Sequence, residues 1–186
     1  AWMYAVAGLH PGTRACILLA DETRTAFAAM VSANVPQSFG AGVAKPTIAE
    51  PAIGICDIAL HRGEPMACAD IAADPDCTPA WRALCLAHGI YACYAQPVMG
   101  RDNRALASLM LCFSEPRIAD DRERQVAGFG ARIAALAIEQ AAAERRREVE
   151  DTRQQQVFEQ APGFICTMSG PDHVFTFVNA AHRRLF

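Results

Sequence analysis

The segment "LAHGIYACYAQPVMGRDNRALASLMLCFSEPR", Leu86 to Arg117, constrains the fold more than any other part of the chain. "YACYAQPVM" and "RALASLMLCF" are apolar runs of strand length joined by the turn-prone "GRDN", which predicts a hairpin. In the second run Ala105, Ala107, Leu109, Leu111 and Phe113 share one face, while Leu106, Met110 and Cys112 fill the other. A strand apolar on both faces is central in its sheet, with helices covering each side. The expected class is therefore α/β (α+β), an antiparallel sheet between two helical layers.

The remaining elements arrange themselves around that hairpin. "RACILLAD" and "TAFAAMVS" flank "DETR" and read as a second hairpin. Trp2–Leu9 reads as the end of a helix stopped by "HPG". Residues 34–54 are rich in Pro, Gly and Ala without periodicity and predict a long loop. A short helix near Cys56–Leu60 leads through "RGEP" to a short strand, "MACADI". Thr78 or Asp76 is placed to cap a helix carrying Trp81, Leu84, Cys85 and His88.

After "EPRIADDRERQ", Asp120 and Glu123 have capping-box spacing, and no proline interrupts the pattern until Pro162. That predicts one long helix to about Phe158, the length of a coiled coil or signalling connector. The bulky stripe Val126, Phe129, Ile133, Leu136 and Gln140 is expected to pack on the domain's own sheet. The opposite register, Gly128, Ala131, Ala135, Ile138, Ala142 and on to Val149, is expected to be the seam of a parallel homodimer. "GFICTMSGPDHVFTFVNAAHRRLF" then reads as strand, turn, strand and the start of a helix, too little to bury its own core.

Composition excludes several classes of function. A formal net charge of −3 leaves no electrostatic footprint for nucleic acid, and the run "ERRREVEDTR" alternates in sign like a solvated helix. No segment reads as a membrane span or a signal peptide, so a cytoplasmic segment is expected. The eight cysteines form no CxxC, and none has zinc-site spacing with histidine. They read as reduced, mostly packed side chains, with no metal site expected.

"GICDIALHRGEPMACADIAADP", the Leu86–Arg117 segment and the helix after it resemble a GAF domain of bacterial signalling proteins. The subfamily shows G-S-C-G-T-A, a G-E-P turn, D-I-A-x-D-P, and then L-A-H-G-L-R-A-C-W-S-x-P-I before a strand ending near R-E-P-R. The tail from Phe158, with its F-V-N-A-A segment, looks like the start of a PAS domain. The resemblance implies a GAF sensory domain over 1–142, a connector helix over 143–158 and a truncated PAS start over 159–186. It implies signal reception and transmission to PAS and output modules in the same chain, those of a sensor histidine kinase, so this segment itself is no enzyme. A diguanylate cyclase or phosphodiesterase sensor, a ligand-free interaction module and a GAF-fold methionine sulfoxide reductase are the alternatives.

The departures from the family pattern bear on the ligand. Gly54-Ile55-Cys56-Asp57-Ile58-Ala59 replaces G-S-C-G-T-A, exchanging small polar groups for isoleucines and an aspartate. No cyclic-nucleotide or bilin signature is found, so the cofactor stays unknown. A small ligand is expected between the sheet and the short helices, against Ile55, Cys56, Ile58, Trp81 and Tyr94. Cys56 at a helix start reads either as a packed residue or as a redox-sensitive thiol. Cys93 and Tyr94 point to opposite faces of their strand, and the sequence leaves open which one faces the ligand. Trp81 and His88, seven apart on one helix, share a face and read as core or lining.

Overall fold

The computed structural model describes residues 12–32, 34–44, 54–75 and 77–184. The helix expected at Trp2–Leu9 and the alternative cap Asp76 lie outside them. The chain divides into two compact units, Ala1–Ile138 and Glu139–Phe186.

The first unit is built on a five-stranded antiparallel sheet. Its strands are β1 (Arg14–Ala20), β2 (Phe27–Ser32), β3 (Met66–Cys68), β4 (Ala92–Met99) and β5 (Ala105–Phe113), in the order β2-β1-β5-β4-β3. β5 is the middle strand and is buried on both faces, as its sequence requires. Helices α1 (Gln37–Ala44), α2 (Ile55–Arg62) and α3 (Pro79–Ala87) belong to one side of the sheet, and the start of α4 (Asp121–Gln160) belongs to the other.

Local signals explain most of the boundaries. Asp21 closes the β1–β2 turn by accepting the Thr25 N–H at 2.8 Å and the Thr23 hydroxyl at 2.7 Å. Thr78 caps α3, accepting the Trp81 N–H at 3.3 Å, and Pro79 occupies the first helical position. At the start of α4, Asp120 accepts the Glu123 N–H at 2.7 Å and Glu123 accepts the Asp120 N–H at 3.0 Å, the expected capping box.

Two expectations need correction. Within 34–54, Gln37–Ala44 is a helix rather than loop. Its glycines serve packing: a Cβ at Gly42 would lie 2.4 Å from Leu84 Cδ1, and one at Gly40 would lie 2.9 Å from Met30 Cβ. The second correction reverses the two faces of α4. Ala127, Gly130, Ala131, Ala134 and Ala135 are buried against Tyr94, Val98, Leu109, Leu111 and Phe113 of the sheet, with Val126 and Ile138 at the margin. Phe129, Ile133 and Leu136 remain 52, 42 and 57% exposed. The sheet supplies the volume on this side, so the helix meets it with its small residues. Ala131 and Ala135 are therefore core and closed to a partner, so the seam expected through Gly128, Ala131, Ala135 and Ile138 is broken at its centre. Ala142 is half-buried and Val149 is exposed, both in the second unit.

By length and composition α4 is also the one helix among the described residues that could cross a bilayer. Only 22% of the apolar stretch concerned is buried; its apolarity comes mostly from Val126, Phe129, Ile133, Leu136 and Ile138, and Arg132 and Glu139 interrupt it.

In the second unit, α4 runs on to Gln160, and Pro162-Gly163 follows its end. β6 (Cys166–Ser169) and β7 (Val174–Val178) form a hairpin before α5 (Ala180–Arg183), the order of elements read from the sequence.

Candidate functional site

The α1–α3 side of the sheet gathers three of the five residues expected to line a ligand site. Ile55, Cys56 and Trp81 are buried there and Ile58 is half-buried on α2. Tyr94 is not with them. It faces α4 and hydrogen-bonds Gln96 at 2.9 Å, while Cys93 takes the short-helix side. Alternation along β4 fixed that the two face opposite ways, and packing decides which goes where.

α2 begins at Gly54 because the indole of Trp81 leaves no room for a side chain. A Cβ at Gly54 would lie 2.3 Å from Trp81 Cδ2. Asp57, itself buried, closes the helix start: one carboxyl oxygen accepts the Gly54 N–H at 3.2 Å and the other accepts the Cys56 S–H at 3.1 Å. Burial, followed by the charge of Asp57, holds the Cys56 thiol well above its ordinary value. The helix N-terminus does not yield a thiolate, and Cys56 is a packed residue.

Trp81 and His88 share a face as their spacing requires, both edge-on to Phe39 with centroids 5.9 and 5.6 Å away. His88 Nδ1 lies 2.8 Å from the Leu84 carbonyl and so carries the proton, leaving Nε2 to accept from the Ser38 hydroxyl at 3.0 Å. Arg14 fixes the turn after α3 by donating to the carbonyls of His88 at 2.9 Å and Gly89 at 2.5 Å. A histidine held in this way is structural.

Two buried polar atoms on this side have no hydrogen-bond partner among the described residues: the Trp81 Nε1–H and the Ser108 hydroxyl. Ser108 shares its face of β5 with Met110 and Cys112, which pack into the short-helix core. Such groups are normally satisfied, by protein, water or ligand. Sequence reading missed both, because an orphan donor is defined by its surroundings. On the opposite side a groove of about 580 Å³ runs between β4 and α4, lined by Gln96, Met99, Gln125, Gly128 and Arg132.

Of the eight cysteines, Cys166 alone is exposed, so no thiol in the sheet domain is open to a bulky substrate. Cys68, Asp74 and Cys77 bring their ligand atoms within 4.8 Å of one another, a grouping their spacing did not announce.

The family model described as "GAF domain" matches residues 4–139. A domain assigned to a two-component sensor histidine kinase of Sinorhizobium meliloti 1021 superposes with a TM-score of 0.60 at 22% identity, covering 79% of this chain and 92% of that one. The GAF domain of a phosphoenolpyruvate-protein phosphotransferase from Coxiella burnetii gives 0.61 at 16% identity, covering 77 and 82%. A type II free methionine-R-sulfoxide reductase from Thermoplasma acidophilum gives 0.52 at 9%, covering 74 and 87%. At these identities the likeness is one of fold. No curated protein matches the sequence.

Proposed function

Because this chain belongs to the GAF domain family, we propose that its sheet domain receives a signal and passes it along α4 to a PAS domain and a histidine kinase output. The observation that carries this reading is the continuity of one helix. α4 packs on the sheet through residues up to Ile138 and continues without a break to Gln160. A change in the sheet's packing shifts the small-residue face of α4, and a continuous helix carries that shift along its axis.

Reception is assigned to the short-helix side, where Trp81, packed with Ile55 and Cys56, and Ser108 on β5 each hold a polar atom without a partner among the described residues. A small, largely apolar ligand with one or two polar groups suits such a lining. Enzymatic reduction of methionine sulfoxide is disfavoured, since it needs a reachable nucleophilic thiolate. Cys56 is fully buried and its thiol is held in the neutral form.

The partner in transmission is a second copy of the chain, in parallel, and the module as a whole is assigned to the cytoplasm. Phe129, Ile133 and Leu136 repeat at coiled-coil spacing on the exposed face of α4, and Gln140 continues that stripe. The stripe expected to serve the core thus becomes the seam.

A phase experiment tests the reading. Residues 1–160 are joined in helical register to a histidine kinase core, and one to seven residues are inserted between Ala143 and Val157. Kinase output is expected to vary with insertion length and return at about seven residues, the coiled-coil repeat. Output indifferent to insertion would overturn transmission through α4.

A further inference from the structure

Three potential metal ligands converge at the junction of β3 and α3. Cys68 ends β3, Asp74 lies in the turn after it, and Cys77 directly precedes Thr78, the cap of α3. Both thiols are buried and the carboxylate is half-buried. The two sulfurs are 3.6 Å apart. A disulfide would bring them to about 2.05 Å. Two thiolates on one tetrahedral zinc, each at about 2.3 Å, stand roughly 3.8 Å apart. In this structure an S–H···S hydrogen bond spans that distance, which is also close to a chelate edge.

Arg82 braces the described residues on either side of the site. Arg82, on α3, donates Nε–H to the Ile71 carbonyl at 3.0 Å, and Nη2–H to those of Asp74 at 2.8 Å and Cys77 at 3.2 Å. The Asp70 carbonyl accepts the Asp74 N–H at 2.9 Å, and its carboxylate accepts the Ala72 N–H at 3.0 Å. Charge also balances: two thiolates and a carboxylate offset a divalent cation together with the Arg82 guanidinium. Directly across from Cys68 on β4 stands Cys93, on the same face of the sheet but outside that grouping.

We propose that Cys68, Asp74 and Cys77 form a binding site for a thiophilic divalent cation of the zinc type, with the fourth position left to a solvent ligand. Binding replaces each thiol proton by a metal–sulfur bond and releases those protons to solvent, with no change of oxidation state. The bound ion ties β3 to the start of α3, the helix that carries Trp81. The site rests on ligand geometry alone and stands apart from the proposed output of the domain.

Cobalt(II) is the probe. Reduced, metal-stripped chain is titrated with cobalt(II) without oxygen. A thiolate-to-cobalt charge-transfer band and the visible spectrum of a tetrahedral ion are expected to saturate at one equivalent, and zinc should bleach both. Cys77→Ser should abolish the band, and Asp74→Asn should weaken cobalt binding by about tenfold or more. Cys56→Ala, altered elsewhere in the core, should keep one equivalent. If Cys77→Ser fails to fold, Asp74→Asn decides, together with a zinc-dependent rise in the Tm of the unaltered chain. Absence of the band, or unchanged binding in Asp74→Asn, overturns the site. Loss of two free thiols under mild peroxide, with no cobalt band, overturns it in favour of a redox pair.

Discussion

Arg117 holds the carboxylate of Glu123 through two parallel hydrogen bonds, Nη1 to Oε2 at 2.8 Å and Nη2 to Oε1 at 2.7 Å. The same guanidinium lies 3.7 Å over the Phe113 ring and donates to the Thr13 hydroxyl at 3.0 Å. Glu123 is 1% exposed and also closes the capping box of α4. One buried carboxylate thus joins the entry to β1, the exit from β5 and the first turn of α4.

Burial alone would push the Glu123 carboxyl up, but the Arg117 hydrogen bonds, the Asp120 N–H and the Arg117 charge together hold it below its ordinary value. A carboxylate depressed in the folded state adds stability that is complete above its unfolded value of about 4.3. That stability drains away as pH falls through the lower folded value. Glu123→Gln should cost about 3 kcal/mol at neutral pH. It should also remove this share of the acid dependence. Urea unfolding of both proteins from neutral pH down to about pH 3 checks this. Parallel losses on acidification would show that another carboxylate governs the acid limb.

Gly54 and Trp81 make a steric prediction. The glycine has φ −164°, extended backbone open to any residue, so the objection to a side chain is space alone. Gly54→Ala sets a methyl against the fixed indole and should cost about 1–3 kcal/mol. Gly163→Ala, where a Cβ meets nothing within 4 Å, should be close to neutral. Thermal unfolding with tryptophan emission separates the two. A Gly54→Ala protein as stable as the parent would mean that the indole moves freely.

The two faces of α4 make opposite predictions. Ile138 packs at the margin of the sheet core, so Ile138→Lys should destabilise the fold by roughly 2 kcal/mol. Leu136→Lys lies on the exposed stripe and should change monomer stability by less than about 0.5 kcal/mol. It should nonetheless weaken self-association in light scattering. Gly128 has open space at its Cβ position, so Gly128→Ala should gain about 1 kcal/mol from helix propensity. Equal dimerisation by the Leu136→Lys protein would sink the seam.

Those faces also mark the limit of sequence reading. β5 was legible because both of its faces are apolar, and the start of α4 because Asp120 and Glu123 carry their geometry in their spacing. Which face of α4 meets the sheet depends on the volume of Leu109, Leu111 and Phe113 opposite, and no helical pattern records a partner's size. α1 was hidden because Gly40 and Gly42 read as loop residues, whereas they admit Met30 and Leu84 to close contact. Cys68 and Cys77 meet through the turn that Arg82 holds, so no ligand spacing in the chain disclosed them. Tyr94 fits either side on sequence alone, because period-two alternation gives relative direction without saying which face is which.

Asn179 governs the last prediction. The one fully buried residue described in the second unit, it donates its amide hydrogens to the carbonyls of Phe158 at 3.2 Å, Ala161 at 3.4 Å and Gly163 at 2.8 Å. Its side-chain oxygen accepts the N–H groups of Ile165 and His182, both at 3.1 Å. One side chain therefore closes the end of α4, starts the β6–β7 hairpin and caps α5. β6 is exposed along its whole length, so little burial stands behind those bonds. Hydrogen exchange should find amides of 166–178 less protected than those of β5. Asn179→Ala should erase what protection they have and leave the sheet domain unchanged. Asn179→Asp should keep the α5 cap, which needs only an acceptor, and lose the three amide donations to the end of α4. Protection of β6 and β7 equal to that of β5, or an Asn179→Ala protein indistinguishable from the parent, would show that this unit is held by something other than Asn179.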